Sequence, residues 1–169
     1  MEHILNLPNT ITGIRFVLAA VLAAMLSFEQ TMVMGFCTWL LFTIAAATDW
    51  VDGYFARRYK SETVLGQLMD PLADKVLVTT SLIMLIPLER IPAWIVLVIL
   101  CREIIITGLR GIAASSGIVV AASGLGKIKS IIQYIGIGTL IFPLGLVPIP
   151  HLHEIGLGII YISLFLTIW

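Results

Sequence analysis

Charge is scarce in this chain. Only 12% of its 169 residues are Asp, Glu, Lys or Arg, against 59% apolar residues, and the mean hydropathy is +1.06. A soluble domain carries roughly twice that charged fraction. The ten basic and ten acidic side chains cancel to a formal net charge of zero, which argues against nucleic acid as a partner. Cysteine is also scarce. Cys37 and Cys101 sit in separate apolar stretches without CxxC spacing, so both read as apolar filler rather than as a disulfide or a reactive thiolate. His3, His151 and His153 show no pairing with acidic residues that would make a metal site. No internal repeat and no low-complexity segment appears.

What the chain has instead is long apolar runs. They predict spans near Ile11–Phe28, Met32–Phe55, Leu72–Pro87, Ile91–Ala114, Leu125–Leu146 and Ile155–Trp169. A helix needs roughly 20 residues to cross a hydrocarbon core of ~30 Å. The expected fold is therefore an all-α integral membrane protein with six transmembrane helices, forming one domain over residues 1–169. Arg15 interrupts the first run, and no cleavage site follows it, so it does not read as a signal peptide. Ile4, Leu5 and Leu7 predict a short interfacial helix that Pro8 separates from the first crossing. The third run is short unless it begins near Gly66. The last, about 15 residues or roughly 22 Å, reads as truncated.

Orientation follows from the basic residues. With the N-terminus inside, Arg57, Arg58, Lys60, Lys75, Arg102, Arg110, Lys127 and Lys129 fall in or beside cytoplasmic connections, and only Arg90 lies opposite. The positive-inside rule then puts the N-terminus and the acidic cluster on the cytoplasmic side of the bilayer.

That cluster is the chemically informative part. Asp49, Asp52, Gly53 and Ala56 lie at i, i+3, i+4 and i+7, one face of the second helix. Gly66, Asp70 and Asp74 lie at i, i+4 and i+8, one face of the third. A connection of about nine residues, Arg57–Leu65, is short enough to fold the two helices antiparallel. Four carboxylates so close together cannot all stay ionised unaided, and two divalent ions with oxygen ligands would neutralise them. Gly53, Ala56 and Gly66 remove bulk from the same faces, and Arg57 adds a fork suited to phosphate. Together these describe a site for a pyrophosphate-linked substrate. Singly, the residues have plainer readings: Asp70-Pro71 is also a good helix start, an N-cap followed by proline.

The run resembles, position for position, the D-x2-D-G-x2-A-R-x8-G-x3-D-x3-D signature of the CDP-alcohol phosphatidyltransferase family, and the likeness extends over nearly the whole chain. Members are integral membrane enzymes that displace CMP from a CDP-linked lipid with an alcohol. The resemblance implies that Asp49, Asp52 and Asp70 bind metal ions, Mg2+ or Mn2+, and that Asp74 is the general base and also touches a metal. It implies that Gly53, Ala56, Arg57 and Gly66 hold the CDP moiety of CDP-diacylglycerol. It also implies a homodimer in a bacterial inner membrane.

The choice of alcohol rests on a second cluster. Arg102 and Glu103 lie deep in the fourth span, where ionisable groups mark functional sites and call for facing partners. Glu103 shares a face with Arg110 and is placed to orient Arg110 or Arg102. Lys127 and Lys129 open the fifth span. Several cations there suit an acceptor that carries a phosphate; helix anchoring at lipid headgroups is the plainer reading of the two lysines. The R-E-x5-L-R and G-K-x-K-S segments resemble those of the bacterial phosphatidylglycerophosphate synthase branch, as does the N-terminal stretch with Asn9, Thr12 and Arg15. That likeness implies sn-glycerol 3-phosphate as acceptor, bound by Arg102, Arg110, Lys127 and Lys129. Arg15 reads either as a contributor to the site or as a side chain snorkelling to headgroups. Inositol phosphate, inositol or phosphatidylglycerol are alternative acceptors. A divalent-cation transporter is the alternative of a different class, but it has no need of Gly53, Ala56, Arg57 and Gly66 at fixed spacing.

Overall fold

Runs of Leu, Ile, Val and Ala with Pro kept mostly to the connections favour helix throughout, and the computed structural model has six helices and no strand among the described residues. In chain order these are α1 (Leu7–Ser27), α2 (Met32–Tyr59), α3 (Val64–Leu85), α4 (Ala93–Ser115), α5 (Gly124–Ile141) and α6 (Leu152–Ile168). The structure describes residues 7–59, 64–115, 124–143, 145–146 and 149–168, with side chains described except at 7–12, 49–59, 64–74, 114, 124–125 and 127. Three boundaries differ from expectation. α1 already contains Leu7 and Pro8, because a proline in the first helical turn gives up an N–H that has no intrahelical partner anyway. Of the residues predicted to form a short interfacial helix, Leu7 belongs to α1, while Ile4 and Leu5 lie outside the described residues.

α3 begins at Val64 and runs through Asp70 and Pro71, so Asp70 does not start a helix. The helix passes its proline with the carbonyl of Gln67 deprived of its usual donor. α2 runs to Tyr59, which shortens the expected connection of about nine residues to residues 60–63. Among the described residues no helix is long and apolar enough to cross a membrane. α6, for example, has 17 residues, about 26 Å of rise, and α4 is interrupted by Arg102, Glu103 and Arg110.

The helices group into two compact units, Met1–Met84 with Ile141–Pro148, and Leu85–Leu140 with Ile149–Trp169. In the first, α1 packs on α2 along matching stripes. Arg15, Ala19, Leu22 and Leu26 are buried on α1, and Gly35, Thr38, Phe42 and Ala45 on α2, the 3–4 spacing of a helix face turned toward a neighbour. The turn between them is closed by Gln30, whose Nε2 donates to the carbonyls of Met25 (2.8 Å) and Phe28 (2.9 Å). Thr31 Oγ1 accepts from the Met34 amide at 3.3 Å, an N-cap for α2. The segment after α5 returns to this unit, with Phe142 edge-on to Trp39 at 5.3 Å.

In the second unit, the exit from α3 is a Schellman turn. The Arg90 amide donates to Leu85 O (3.1 Å) and the Glu89 amide to Ile86 O (2.9 Å), with Glu89 at φ 56° where glycine is usual. Arg90 then donates from Nη1 to Leu140 O at 2.8 Å, satisfying a carbonyl in the last turn of α5. Burial pushes its guanidinium below the usual value. α6 packs on α4, with Trp94 beside Tyr161 at 6.0 Å. Against α5 it packs through glycine. A Cβ on Gly136 would lie 2.8 Å from Ile160 Cδ1, and one on Gly156 would lie 2.8 Å from Leu140 Cδ2. Only the absence of a side chain lets the two helices approach so closely.

Candidate active site

The helical register of α2 and of α3 puts each half of the acidic signature along one stripe of its own helix. Asp49, Asp52, Gly53 and Ala56 occupy one stripe of α2, with Arg57 in its last turn. Gly66 lies in the first turn of α3, with Asp70 and Asp74 one and two turns further on the same stripe. Both helices belong to one unit, and four residues separate them. The side chains of these eight residues, and those of Asn9 and Thr12 on α1, lie outside the described ones. Among the described residues no group of three or more His, Cys, Asp or Glu could hold a metal ion. The donor set of the signature itself fits a hard divalent cation, since it is four carboxylates and no nitrogen or sulfur.

Arg15 is buried at 6% exposure on the α1 stripe that faces α2, which corrects the snorkelling alternative. A guanidinium so placed must be held by the protein interior rather than by headgroups.

The second cluster belongs to the other unit. Lys129 in α5 is buried at 6% exposure, and its Nζ donates to Glu103 Oε1 of α4. The same carboxylate oxygen lies 3.5 Å from Arg102 Nη1, at the outer limit of a hydrogen bond. Glu103 thus ties α4 to α5 through Lys129, a pairing the sequence reading did not foresee. Twenty-six residues separate the two, and no local periodicity links them. Arg110 lies exposed on α4, and Lys127 falls in the first turn of α5, its side chain outside the described ones. The headgroup-anchor reading does not suit Lys129, whose ammonium is turned inward onto a carboxylate.

Other polar residues passed unremarked in the sequence. Gln133 (4% exposed), Ser163 (0%) and Thr167 (0%) are buried on α5 and α6. The signal for them was present. Lys129, Gln133, Gly136 and Leu140 follow a 4-3-4 spacing, which places the polar pair on the stripe that carries the close-packed glycine. Of the residues read as incidental, His151 lies in the turn before α6 and His153 within its first turn. Cys37 and Cys101 are free and exposed, so neither fills a core.

The sequence model of CDP-alcohol phosphatidyltransferase matches residues 5–169. The CDP-diacylglycerol–glycerol-3-phosphate 3-phosphatidyltransferase of Bacillus subtilis (strain 168) is 42% identical over 159 residues, covering 86% of this chain and 82% of its own length. The protein of the same name from Sodalis glossinidius (strain morsitans) is 36% identical, covering 98% of this chain and 90% of its own. That from Haemophilus influenzae is 34% identical, covering 97% and 88%. Likeness at this level over almost the full length of both partners, with the acidic signature set on two consecutive helices, means that the chain belongs to the CDP-alcohol phosphatidyltransferase family.

Proposed function

We propose that this protein transfers the phosphatidyl group of CDP-diacylglycerol to sn-glycerol 3-phosphate, releasing CMP and phosphatidylglycerol phosphate. The observation that carries the reading is the full-length likeness to relatives whose names specify that donor and that acceptor. The residues supply a consistent chemistry. Asp74 takes the proton of the acceptor's primary hydroxyl as the oxygen attacks the phosphorus that bears diacylglycerol. A new P–O bond forms there, and the pyrophosphate P–O bond breaks to release CMP. Asp49, Asp52, Asp70 and Asp74 would hold two divalent ions, Mg2+ or Mn2+, which when bound neutralise the carboxylates and polarise the phosphoryl oxygens. Gly53, Ala56 and Gly66 leave space for the nucleotide, and Arg57 pairs with its phosphates. Arg102, Arg110, Lys127 and Lys129 bind the phosphate of the acceptor, with Glu103 holding Lys129 in place.

The setting in this reading is a bilayer. α2, with 28 residues, is about 42 Å long and overreaches a ~30 Å core. Counted from Met32, its first 20 residues end near Val51. Asp49 and Asp52 then sit at the membrane margin, with Arg57 beyond it. Such an edge lets acyl chains remain in lipid while nucleotide and acceptor arrive from the cytoplasm. The family match sets aside the transporter alternative.

The test is CMP release by the purified full-length protein from CDP-diacylglycerol, with Mg2+ or Mn2+, against glycerol 3-phosphate, inositol phosphate, inositol and phosphatidylglycerol. Release with glycerol 3-phosphate alone is expected. Release with another alcohol in its place would move the chain to a different branch, and none with any would refute the activity.

A further inference from the structure

The stripe along which α1 meets α2 carries charge at one end. Outward from the four-residue connection 28–31, its buried positions are Leu26, Leu22, Ala19 and Arg15 on α1 and Gly35, Thr38, Phe42 and Ala45 on α2. Taken in order in the antiparallel pair, they set Arg15 level with Ala45. The α2 row has a 3-4-3 spacing, and its next positions, four and three residues further on, are Asp49 and Asp52. The first two carboxylates of the acidic signature thus continue the row of α2 that packs on α1. Both helices belong to one compact unit and are packed together.

Arg15 is 6% exposed and is engaged within the chain. A guanidinium so buried calls for a negative partner, because its desolvation is offset only by a close opposite charge and hydrogen bonds. α1 has no acidic residue, and α2 has two, Asp49 and Asp52. Glu29 lies in the connection at the other end of the pair and is exposed. Long side chains on a helix lean toward its N-terminus. For α1 in an antiparallel pair, that direction is toward the C-terminal end of α2. An arginine reaches about one helical turn along the axis, ~5.4 Å. Asp49 lies one turn beyond Ala45, and Asp52 lies almost two.

We propose that Arg15 is a positioning residue of the acidic site, the fixed internal counter-ion of Asp49. The proposal rests on the metal-binding role given to Asp49 above. A guanidinium donates through a rigid fork, which orients a carboxylate as a point charge cannot. Carboxylates that bind a metal are themselves held by hydrogen bonds from a surrounding group. Four carboxylates and two divalent cations cancel in formal charge, so Arg15 leaves the loaded site positive, as suits an anionic diphosphate donor. With no metal bound, Arg15 still lowers the repulsion among the carboxylates.

The first experiment is thermal unfolding of the purified full-length protein in detergent with excess EDTA. R15M is expected to lower the unfolding temperature by about 5–10 °C. R15K, which keeps the charge, should recover more than half of that loss. D49N should lower the temperature in the wild-type background. In R15M it should leave the temperature unchanged or raise it, since the carboxylate then has no arginine to lose. D52N should shift both backgrounds equally. Additive effects of R15M and D49N overturn the proposal. So does an R15K no more stable than R15M, or a coupling found with D52N instead. If R15M does not fold alone, recovery of folded protein in R15M/D49N supports the pair, and failure to recover it overturns it.

The second replaces EDTA by Mg2+. A ligand that binds the folded state raises the unfolding temperature, and a site that has lost a fixed cation gains more from a divalent one. The rise should be larger in R15M than in the wild type by about 3–5 °C, the shift of a roughly tenfold tighter site. An equal rise in both proteins overturns the placing of Arg15 among the charges of the metal-binding cluster. No rise in either would refute instead the metal-binding role of Asp49 on which the proposal rests. The comparison in EDTA would then still decide whether Arg15 and Asp49 are paired.

Discussion

At the scale of single residues, the two clusters differ in how they handle charge. The aspartates of α2 and α3 form a concentration of negative charge whose proposed complement is a pair of cations. Asp74→Asn should therefore lower kcat by roughly 10²–10⁴ while CDP-diacylglycerol binding stays measurable. Near-normal turnover would exclude Asp74 as base. In the α4–α5 cluster, Lys129 is paired within the protein with Glu103. Breaking that pair from one side removes the carboxylate partner of a buried ammonium. E103Q should destabilise the fold by about 2 kcal/mol, less than the 3–5 kcal/mol of a wholly enclosed pair, because the Glu103 side chain keeps 24% of its exposure. The double variant E103L/K129M removes both charges and should recover most of the loss. If thermal unfolding shows the double variant no more stable than E103Q, Glu103 is not the counter-ion that keeps Lys129 buried.

At the scale of elements, glycine decides how closely α5 and α6 approach. A methyl group on Gly136 would press on Ile160 and Ile159, whereas one on Gly158 meets nothing within 4 Å. G136A should lower stability by about 1–3 kcal/mol through overpacking. G158A should raise it by up to about 1 kcal/mol, from helix propensity alone. Thermal unfolding of the two variants side by side checks the packing, and equal midpoints would contradict it. The helices themselves were largely legible in the sequence, because apolar runs and a 3–4 spacing of buried residues are local signals. The errors came at their ends. Pro8 read as a boundary, yet α1 already contains it; at Pro71 the helix-start alternative falls, while the reading that carried the third helix back past Gly66 agrees with a start at Val64. A first-turn proline forfeits nothing, and an interior one is carried by the helix on either side of it.

At the scale of the whole molecule, the proposal is a bilayer protein, and the exposed apolar surface is consistent with that solvent. Ile104 (72%), Val33 (74%), Ile112 (66%) and Phe165 (66%) all face outward, an arrangement that would be an aggregation hazard in water. The two cysteines make this testable without engineering, since both are free and exposed on outward faces. In sealed proteoliposomes a lipid-soluble maleimide should label Cys37 and Cys101, and a charged, membrane-impermeant thiol reagent should not. Rapid labelling of both by the charged reagent would place these faces in water and refute the six-crossing arrangement.

The sequence by itself determined the all-helical class, the family and the register of the aspartates along α2 and α3. Each of these is written in spacing: apolar period for the helices, and i, i+3, i+4 and i+7 for the faces of α2 and α3. Tertiary structure decided which charges meet and which polar groups are enclosed. Glu103 and Lys129 are distant in sequence, and the enclosure of Gln133, Ser163 and Thr167 depends on how α5 and α6 pack. No single helix contains the information for either, because partner choice and burial belong to surfaces that exist only once helices are packed together.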